Sequence, residues 1–323
     1  DELIEALDGV DLLGVRSRTQ VTPEVVAERG ETLTAVGAFC IGTNQLALDD
    51  LARAGVAAFN APFSNTRSVV ELVISEIIAL ARRLGDRNTQ MHHGVWRKSA
   101  IGSHEVRGRT LGIVGYGNIG AQISVLAEAL GLSVMYYDVA DKLPMGNAHR
   151  CDSLEELLQS VDVVTVHVDG RADNTLLFGE QEFSMMRPRS LFLNLSRGHV
   201  VDVAALADNL RTGHLAGAAV DVYPSEPRSG DEPFVSELQS LDNVILTPHV
   251  GGSTQEAQID IGRYVAGKLI DYSERASTSM SVNLPDITTG ATPGARIGHL
   301  HLNMPGIMAD LNRLVADHGG NVT

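Results

Sequence analysis

Three features of the 323-residue sequence predict an α/β fold built around a doubly wound parallel sheet. Between residues 111 and 248, apolar β-type runs alternate with segments of helical periodicity. Those runs are near-continuous rather than alternating, as strands covered by helices on both faces require. The first of them, Leu111 to Val114, turns through Gly115-x-Gly117-x-x-Gly120 directly into a helix.

Taken in order, residues 1–15, DELIEALDGVDLLGV, read as a short helix and then a strand. No initiating Met and no opening strand precede them, so the sequence is expected to start inside a domain. Arg16-Ser17-Arg18-Thr19 follows, two cations at a strand end that on charge alone read as a solvated turn. The stretch LTAVGAFCIGTNQLALDDLARAGVAAFNAP alternates short strands with a helix and predicts a second, smaller flavodoxin-like α/β unit. From Thr66 to Arg83 a helix is written with apolar residues round most of its circumference: Val69, Val70, Leu72, Val73, Ile77, Ile78 and Leu80. Such a helix is buried between layers or between subunits. Residues 86–107 are polar and loop-like and contain the single tryptophan, Trp96, beside Arg97 and Lys98. Either Trp96 packs on its own domain or it projects into a partner chain.

Past the glycine turn, Ile123, Leu126, Ala127 and Leu130 mark a helix that stops at Gly131, and a second β-type run ends in Asp138. Further strands are predicted at Val161–His167, Leu191–Ser196, Gly217–Asp221 and Val244–Pro248, with helices at Ser153–Gln159, Glu180–Met186 and Val203–Arg211. Six strands with right-handed crossovers give the order 3-2-1-4-5-6. Residues 255–275 form an amphipathic helix that returns to the first domain. The linker LPDITTGATPGA leads to RIGHLHLNMPGIMADLNRLVADHGGNVT, which reads as strand, Pro-Gly turn, helix and the start of another strand. That is too short for a core of its own, so it reads as the start of an α+β domain cut short. The predicted domains are 1–64 with 253–292, 65–252, and 293–323.

Composition narrows the function. A net charge of −15 disfavours nucleic acid or an anionic membrane as partner, and an anionic substrate then needs a local cluster of Arg and Lys. No apolar run reaches membrane-spanning length and no signal peptide opens the chain. The two cysteines, Cys40 and Cys151, form no CxxC pair, which suits a reducing, cytoplasmic setting. His92-His93 and His299/His301 lack a third ligand at metal-binding spacing, so no metal is expected.

The chemistry gathers at strand ends. Gly115 allows a tight turn, Gly117 lets a pyrophosphate approach the backbone, and Gly120 lets helix and strand pack closely. The helix then offers free N–H groups to phosphate. Asp138, about twenty residues on, can accept both ribose hydroxyls and would repel a 2′-phosphate, which favours NAD over NADP. Beyond the other strands lie Arg197, Asp221, Glu226 and His249. Oxidising a secondary alcohol beside a carboxylate needs a base, a cation and a hydride acceptor. His249 serves as the base, Glu226 holds its ring, and Arg197 offers a planar fork to a 2-oxo acid. Asp221 is placed to accept from the nicotinamide carboxamide, and NAD takes the hydride.

With these residues in place, the segments RSRT, CIGTNQ, NAPFSNTRSVVEL, GVWRKSAIGSHEVRGRTLGIVGYGNIG, KLPMGNA, NLSRG, DVYPSEP and TPHVGGSTQEA make the chain resemble the D-isomer-specific 2-hydroxyacid dehydrogenases, in the branch with a C-terminal ACT regulatory domain. The resemblance covers essentially the whole chain. It implies NAD-dependent oxidation of 3-phospho-D-glycerate to 3-phosphohydroxypyruvate, the first step of serine synthesis, with Arg197, Glu226 and His249 catalytic. It implies NAD contacts at Asn118, Ile119, Asp138, Leu195, Ser196, Arg197, Asp221, His249, Val250, Gly251 and Gly252. Arg16, Arg18 and Lys98 match cations for the substrate phosphate, the lysine coming from a neighbouring subunit, which replaces the solvated-turn reading. A homotetramer is implied, with the Trp96 segment in a dimer contact, and L-serine as inhibitor at His301, Asn303 and Asn321. Two departures stand out: the sequence given starts past the family's first strand and stops within the ACT domain, so it is expected to be a fragment or to have unseen ends, and Asp169 stands where members commonly carry proline. The alternatives are a reductase for glyoxylate, hydroxypyruvate or 2-oxoglutarate, and a non-catalytic NAD sensor like the corepressors built on this fold.

Overall fold

The computed structural model describes residues 2–227, 229–289, 299, 301 and 304–320. It contains two compact units: Asp1–Pro62 with Ile261–Thr323, and Phe63–Asp260.

The first unit begins with α1 (Glu2–Ala6), β1 (Leu12–Val15), α2 (Pro23–Arg29), β2 (Ala35–Ala38), α3 (Leu48–Arg53) and β3 (Ala57–Phe59). Its three strands are parallel in the order β1-β2-β3. Side chains alternate across this sheet. Val36, Ala38 and Ala58 face a core with Val25, Val26 and Leu51, while Ala35, Ala57 and Phe59 face Ile261, Val265 and Leu269. Gly37 is what lets the second layer close, because a Cβ there would meet Val265 Cγ1 at 2.6 Å. α2 has no counterpart among the sequence expectations. Its Pro23 sits in the first turn, where the fixed φ suits a helix start.

The second unit comprises α4 (Thr66–Arg82), α5 (Leu84–His92), β4 (Thr110–Val114), α6 (Asn118–Ala129), β5 (Ser133–Tyr137), β6 (Ala148–Arg150), α7 (Leu154–Ser160), β7 (Val163–Val166), α8 (Glu180–Met185), β8 (Ser190–Asn194), α9 (Val203–Arg211), β9 (Leu215–Val220) and β10 (Val244–Leu246). The next helix, α10 (Gln255–Arg275), runs through the boundary into the first unit. α11 (Ile307–Asp317) follows a turn in which Gly306 takes a φ of +96°.

All seven strands of the second unit are parallel, in the order β10-β9-β8-β7-β4-β5-β6. Each face of this sheet carries its own core, the doubly wound pattern. Val164, Val166, Phe192, Ala218 and Val220 pack against Leu157, Phe183, Leu206 and Leu210. Leu111, Ile113, Val163, Leu193 and Ala219 pack against Val70, Val73, Ile77, Ile123 and Ala127. The six-strand expectation is corrected here. β6 lies between β5 and β7 in sequence, so the strand at Val163–Val166 is fourth, not third, and it pairs with β4. With β6 counted, the expected order holds and β10 is added at the far edge. β6 was not legible because it is a three-residue edge strand with His149 and Arg150 exposed.

Residues 86–107 also differ from expectation. α5 occupies their first part, separated from α4 by Arg83 in the left-handed region at φ 53°. α4 buries Val69, Val70, Val73, Glu76 and Ile77 against its own sheet, while Ile78 is 36 % exposed. Among the described residues no helix is long and apolar enough to cross a membrane. Of the strand expected after residue 295 only His299 and His301 are described, and residues 321–323 lie outside the described residues.

Candidate active site

The carboxyl ends of β4, β5, β7, β8, β9 and β10 lie along one edge of a single parallel sheet, which is where ligands of such sheets bind. At β4 the chain turns through Gly115 with φ +92°, and a Cβ there would meet the His167 carbonyl oxygen at 2.6 Å. Gly120 packs as tightly, since its Cβ would meet the Gly115 carbonyl oxygen at 2.5 Å. Gly117 is different: nothing stands within 4 Å of where its Cβ would be. Gly117 also caps α6 without any side-chain hydrogen bond to the helix's first N–H groups. Asn118 and Ile119 are the first helical residues behind that opening. An open approach to uncapped N–H groups at a helix start is what a pyrophosphate requires, so these residues fit a dinucleotide.

Asp138 follows β5. Its Oδ2 accepts from the Tyr116 N–H at 2.8 Å and its Oδ1 from the Ala140 N–H at 2.8 Å, which ties the carboxylate to the glycine turn. Two bonds leave acceptor capacity for ribose hydroxyls. Tyr116 is itself buried and stacked on Tyr136, with ring centroids 3.9 Å apart, and its hydroxyl meets Ser124 Oγ at 2.7 Å. Behind the turn, burial pushes the pKa of His167 down to about 3, so its ring is neutral; Nε2 contacts Thr165 Oγ1 at 2.8 Å.

After β8, Leu195 and Ser196 are buried and Arg197 is half-buried. Asn194 organises the bend: its Oδ1 accepts from Ser196 N–H and Oγ–H, and its Nδ2 donates to the Arg197 carbonyl at 3.0 Å. Arg197 Nη1 donates to the Ser196 carbonyl at 2.7 Å. Gly198 lies so close to the Tyr223 carbonyl group that any side chain there would overlap it.

Asp221, 1 % exposed, directly follows β9. It accepts three bonds from the loop after β10: Thr247 Oγ1 at 2.5 Å, Val250 N–H at 2.8 Å and Gly251 N–H at 2.8 Å. The residue framed by these anchors is His249, whose φ of +53° is unusual for a side-chain-bearing residue. His249 Nδ1 meets Glu226 Oε2 at 2.8 Å, and Glu226 Oε1 also accepts from the Tyr223 N–H at 3.1 Å. Tyr223 Oη in turn donates to the carbonyls of Val220 and Thr247. Gly198, Tyr223, Glu226 and His249 therefore form a continuous chain from Arg197 to the imidazole. The strands that carry Arg197 and His249 are separated by β9 alone, roughly 10 Å between backbones. That gap suits one small acid gripped by an arginine and a histidine. Gly252 packs on Asn65, where a side chain would collide with the amide.

Sequence reasoning missed Thr247, Gly198 and Glu76. Glu76, on α4, is 3 % exposed, and neither carboxyl oxygen has a hydrogen-bond partner among the described residues. Burial, with the Asp221 charge added, pushes its pKa up to about 8. The signal for its burial was present, since Glu76 follows Val69 and Val73 at helical spacing on the apolar face.

Of the remaining expected site residues, Arg16 and Arg18 are exposed in the turn after β1, in the first unit. Lys98 is exposed in the irregular segment after α5, in the second unit, as is Trp96 at 79 %. His301 is exposed with its ring 5.1 Å from that of His299, while Asn303 and Asn321 lie outside the described residues. Among the described residues no three His, Cys, Asp or Glu side chains converge to hold a metal.

Residues 74–251 match the family model of the D-isomer specific 2-hydroxyacid dehydrogenase NAD binding domain. The chain is 50 % identical over 322 residues to D-3-phosphoglycerate dehydrogenase of Escherichia coli strain K12, covering 100 % of this chain and 78 % of that protein. It is 48 % identical over 318 residues to D-3-phosphoglycerate dehydrogenase of Dictyostelium discoideum, covering 98 % and 78 %. Among solved structures it is similar to D-2-hydroxyisocaproate dehydrogenase, with a TM-score of 0.81 and 25 % identity over 87 % of this chain and 89 % of that one.

Proposed function

Because the chain belongs to the D-isomer-specific 2-hydroxyacid dehydrogenases, we propose that it oxidises 3-phospho-D-glycerate to 3-phosphohydroxypyruvate with NAD, the first step of serine synthesis. The observation that carries this reading is the His249–Glu226 pair, 2.8 Å apart, on the same sheet edge as Arg197. Identity with D-3-phosphoglycerate dehydrogenases over the full chain supports the choice of substrate.

When bound, NAD supplies the hydride acceptor. Gly115, Gly117, Asn118, Ile119 and Gly120 hold its pyrophosphate, and Asp138 its ribose. Leu195, Ser196, Asp221, Val250, Gly251 and Gly252 line the nicotinamide end. The chain's own residues then do three things. Glu226 accepts from His249 Nδ1–H, which fixes the tautomer and leaves Nε2 with a lone pair. Nε2 takes the hydroxyl proton as the alcohol carbon loses its hydrogen with both electrons and the C–O bond becomes a carbonyl. Arg197 holds the substrate carboxylate and the forming carbonyl oxygen in its planar fork. Asp221 keeps His249 in its strained backbone conformation through the three bonds to the loop. In the reverse direction His249 returns the proton.

Arg16 and Arg18, joined by Lys98 of a neighbouring subunit, supply cations for the substrate phosphate, the positive charge that a chain of net charge −15 needs. The exposed Trp96, with Ile101 at 80 % exposure, supports the reading of that segment as a contact between subunits of a tetramer. L-Serine as an inhibitor acting through His301, Asn303 and Asn321 belongs to the same proposal. The test is the rate of NADH formation with 3-phospho-D-glycerate beside D-lactate, D-glycerate and D-2-hydroxyglutarate. The phosphorylated acid should give the highest kcat/KM; an unphosphorylated acid turned over more efficiently would refute the substrate assignment.

A further inference from the structure

The loop that leaves β7 carries an arrangement that the reaction above does not use. β7 lies between β4 and β8, so this loop emerges between the glycine turn and Arg197. It touches both neighbours. The His167 carbonyl abuts Gly115, and a Cβ on Gly170 would stand 3.5 Å from Arg197 Nε. Between them Asp169 clamps Arg171: Oδ1 accepts from Nε at 2.7 Å and Oδ2 from Nη2 at 2.5 Å. Asn174 Nδ2 braces the clamp by donating to the Asp169 carbonyl at 2.9 Å and to Oδ1 at 3.0 Å. The loop thereby flanks the glycine turn whose Tyr116 N–H is held by Asp138 Oδ2 at 2.8 Å.

A stability role explains this poorly. Both side chains are more than half exposed, 55 % and 57 %, and they are two residues apart in sequence. Exposed pairs of this kind contribute little to folding. Their position suggests a different role. A guanidinium on a loop that flanks the turn held by Asp138 is the group that would receive a ribose 2′-phosphate, since its fork matches phosphate oxygens. With Nε and Nη2 committed to Asp169, the pair carries no net charge and Asp138 remains uncompensated.

We propose that Asp169 and Arg171 are specificity-determining residues for the cofactor: Asp169 withholds the Arg171 guanidinium from the ribose, so that the crevice beside Asp138 stays anionic and rejects a 2′-phosphate. The inference rests on the NAD reading and deepens it by adding a second acidic residue to the one that faces the ribose. It also gives the acidic residue at this position a function: removing it would expose a cation to the cofactor.

The test is calorimetric binding of NAD+ and of NADP+ to the 323-residue chain and to Asp169→Ala, Arg171→Ala and the double variant, at two salt concentrations. Asp169→Ala should tighten NADP+ about three- to five-fold, the scale of one exposed charge pair, while NAD+ moves by less than about two-fold. The gain should shrink at high salt, because the freed cation is exposed. It should vanish when Arg171→Ala is added. NADP+ binding that stays unchanged in Asp169→Ala overturns the inference, as does a gain that survives in the double variant. A wild-type chain that binds no NAD+ overturns the cofactor reading and this inference with it, whereas wild-type NAD+ binding without the NADP+ gain overturns this inference alone.

Discussion

Replacing Glu76 by Gln should change how stability depends on pH. Glu76 is a buried carboxyl with no hydrogen-bond partner among the described residues, and burial beside Asp221 pushes its pKa from 4.5 up to about 8. In the unfolded chain the same group ionises near its ordinary value. Between those two limits the folded chain keeps a proton that the unfolded chain releases, so stability falls as pH rises. The contribution is fully present below 4.5 and is lost as pH climbs through about 8. Each pH unit in that window changes stability by about 1.4 kcal/mol. From pH 6 to pH 9 only the part up to about 8 counts, so wild type should lose on the order of 3 kcal/mol relative to Glu76→Gln. In a unit that spans residues 63–260 this corresponds to roughly 6–12 °C in Tm. Differential scanning calorimetry of both proteins at pH 6 and pH 9 measures it, with every other titrating group cancelling in the comparison. Equal shifts of Tm with pH in the two proteins would refute the reasoning, because Glu76 would then be ionised in the fold at neutral pH.

Three other substitutions probe different parts of the site. Asp221→Asn cannot accept on both sides of its amide, so one of Thr247 Oγ1, Val250 N–H and Gly251 N–H loses its acceptor. A cost of about 1–3 kcal/mol in stability should accompany a fall in kcat, and a variant with unaltered kcat would remove Asp221 from the positioning of His249. Arg16→Ala with Arg18→Ala should raise KM for phosphoglycerate with little effect on KM for NAD; an unmoved phosphoglycerate KM contradicts the phosphate assignment. Gly198→Ala should fold poorly, since the new methyl would overlap the Tyr223 carbonyl group, and a Tm equal to wild type would mean that this bend relaxes freely.

The parts of this fold that were legible in the sequence are those whose signals are local. The strand, glycine turn and helix from Thr110 to Ala129 are adjacent in the chain, and so is the acid that follows the next strand. The expectation for Arg197, Glu226 and His249 needed topology as well, because parallel strands gather their carboxyl ends on one edge. β6 and α5 escaped because exposed, short elements carry little hydrophobic period: α5 buries no residue and β6 only Ala148. The role of Asp221 was partly hidden for another reason. Its three donors come from residues 26 to 30 positions away, and two of them are backbone N–H groups that no side-chain pattern reveals. The Asp169–Arg171 clamp was local and readable, but its loop's place between the glycine turn and Arg197 became visible only once the strands were assembled.

The account depends most on His249 as the group that moves the proton while Glu226 orients it. Steady-state kcat of His249→Ala with 3-phospho-D-glycerate and saturating NAD tests this most directly. A fall of roughly two orders of magnitude or more is predicted, the scale of lost acid–base catalysis. A rate within a few-fold of wild type would mean that another group carries the proton and that the His249–Glu226 pair serves only to shape the loop.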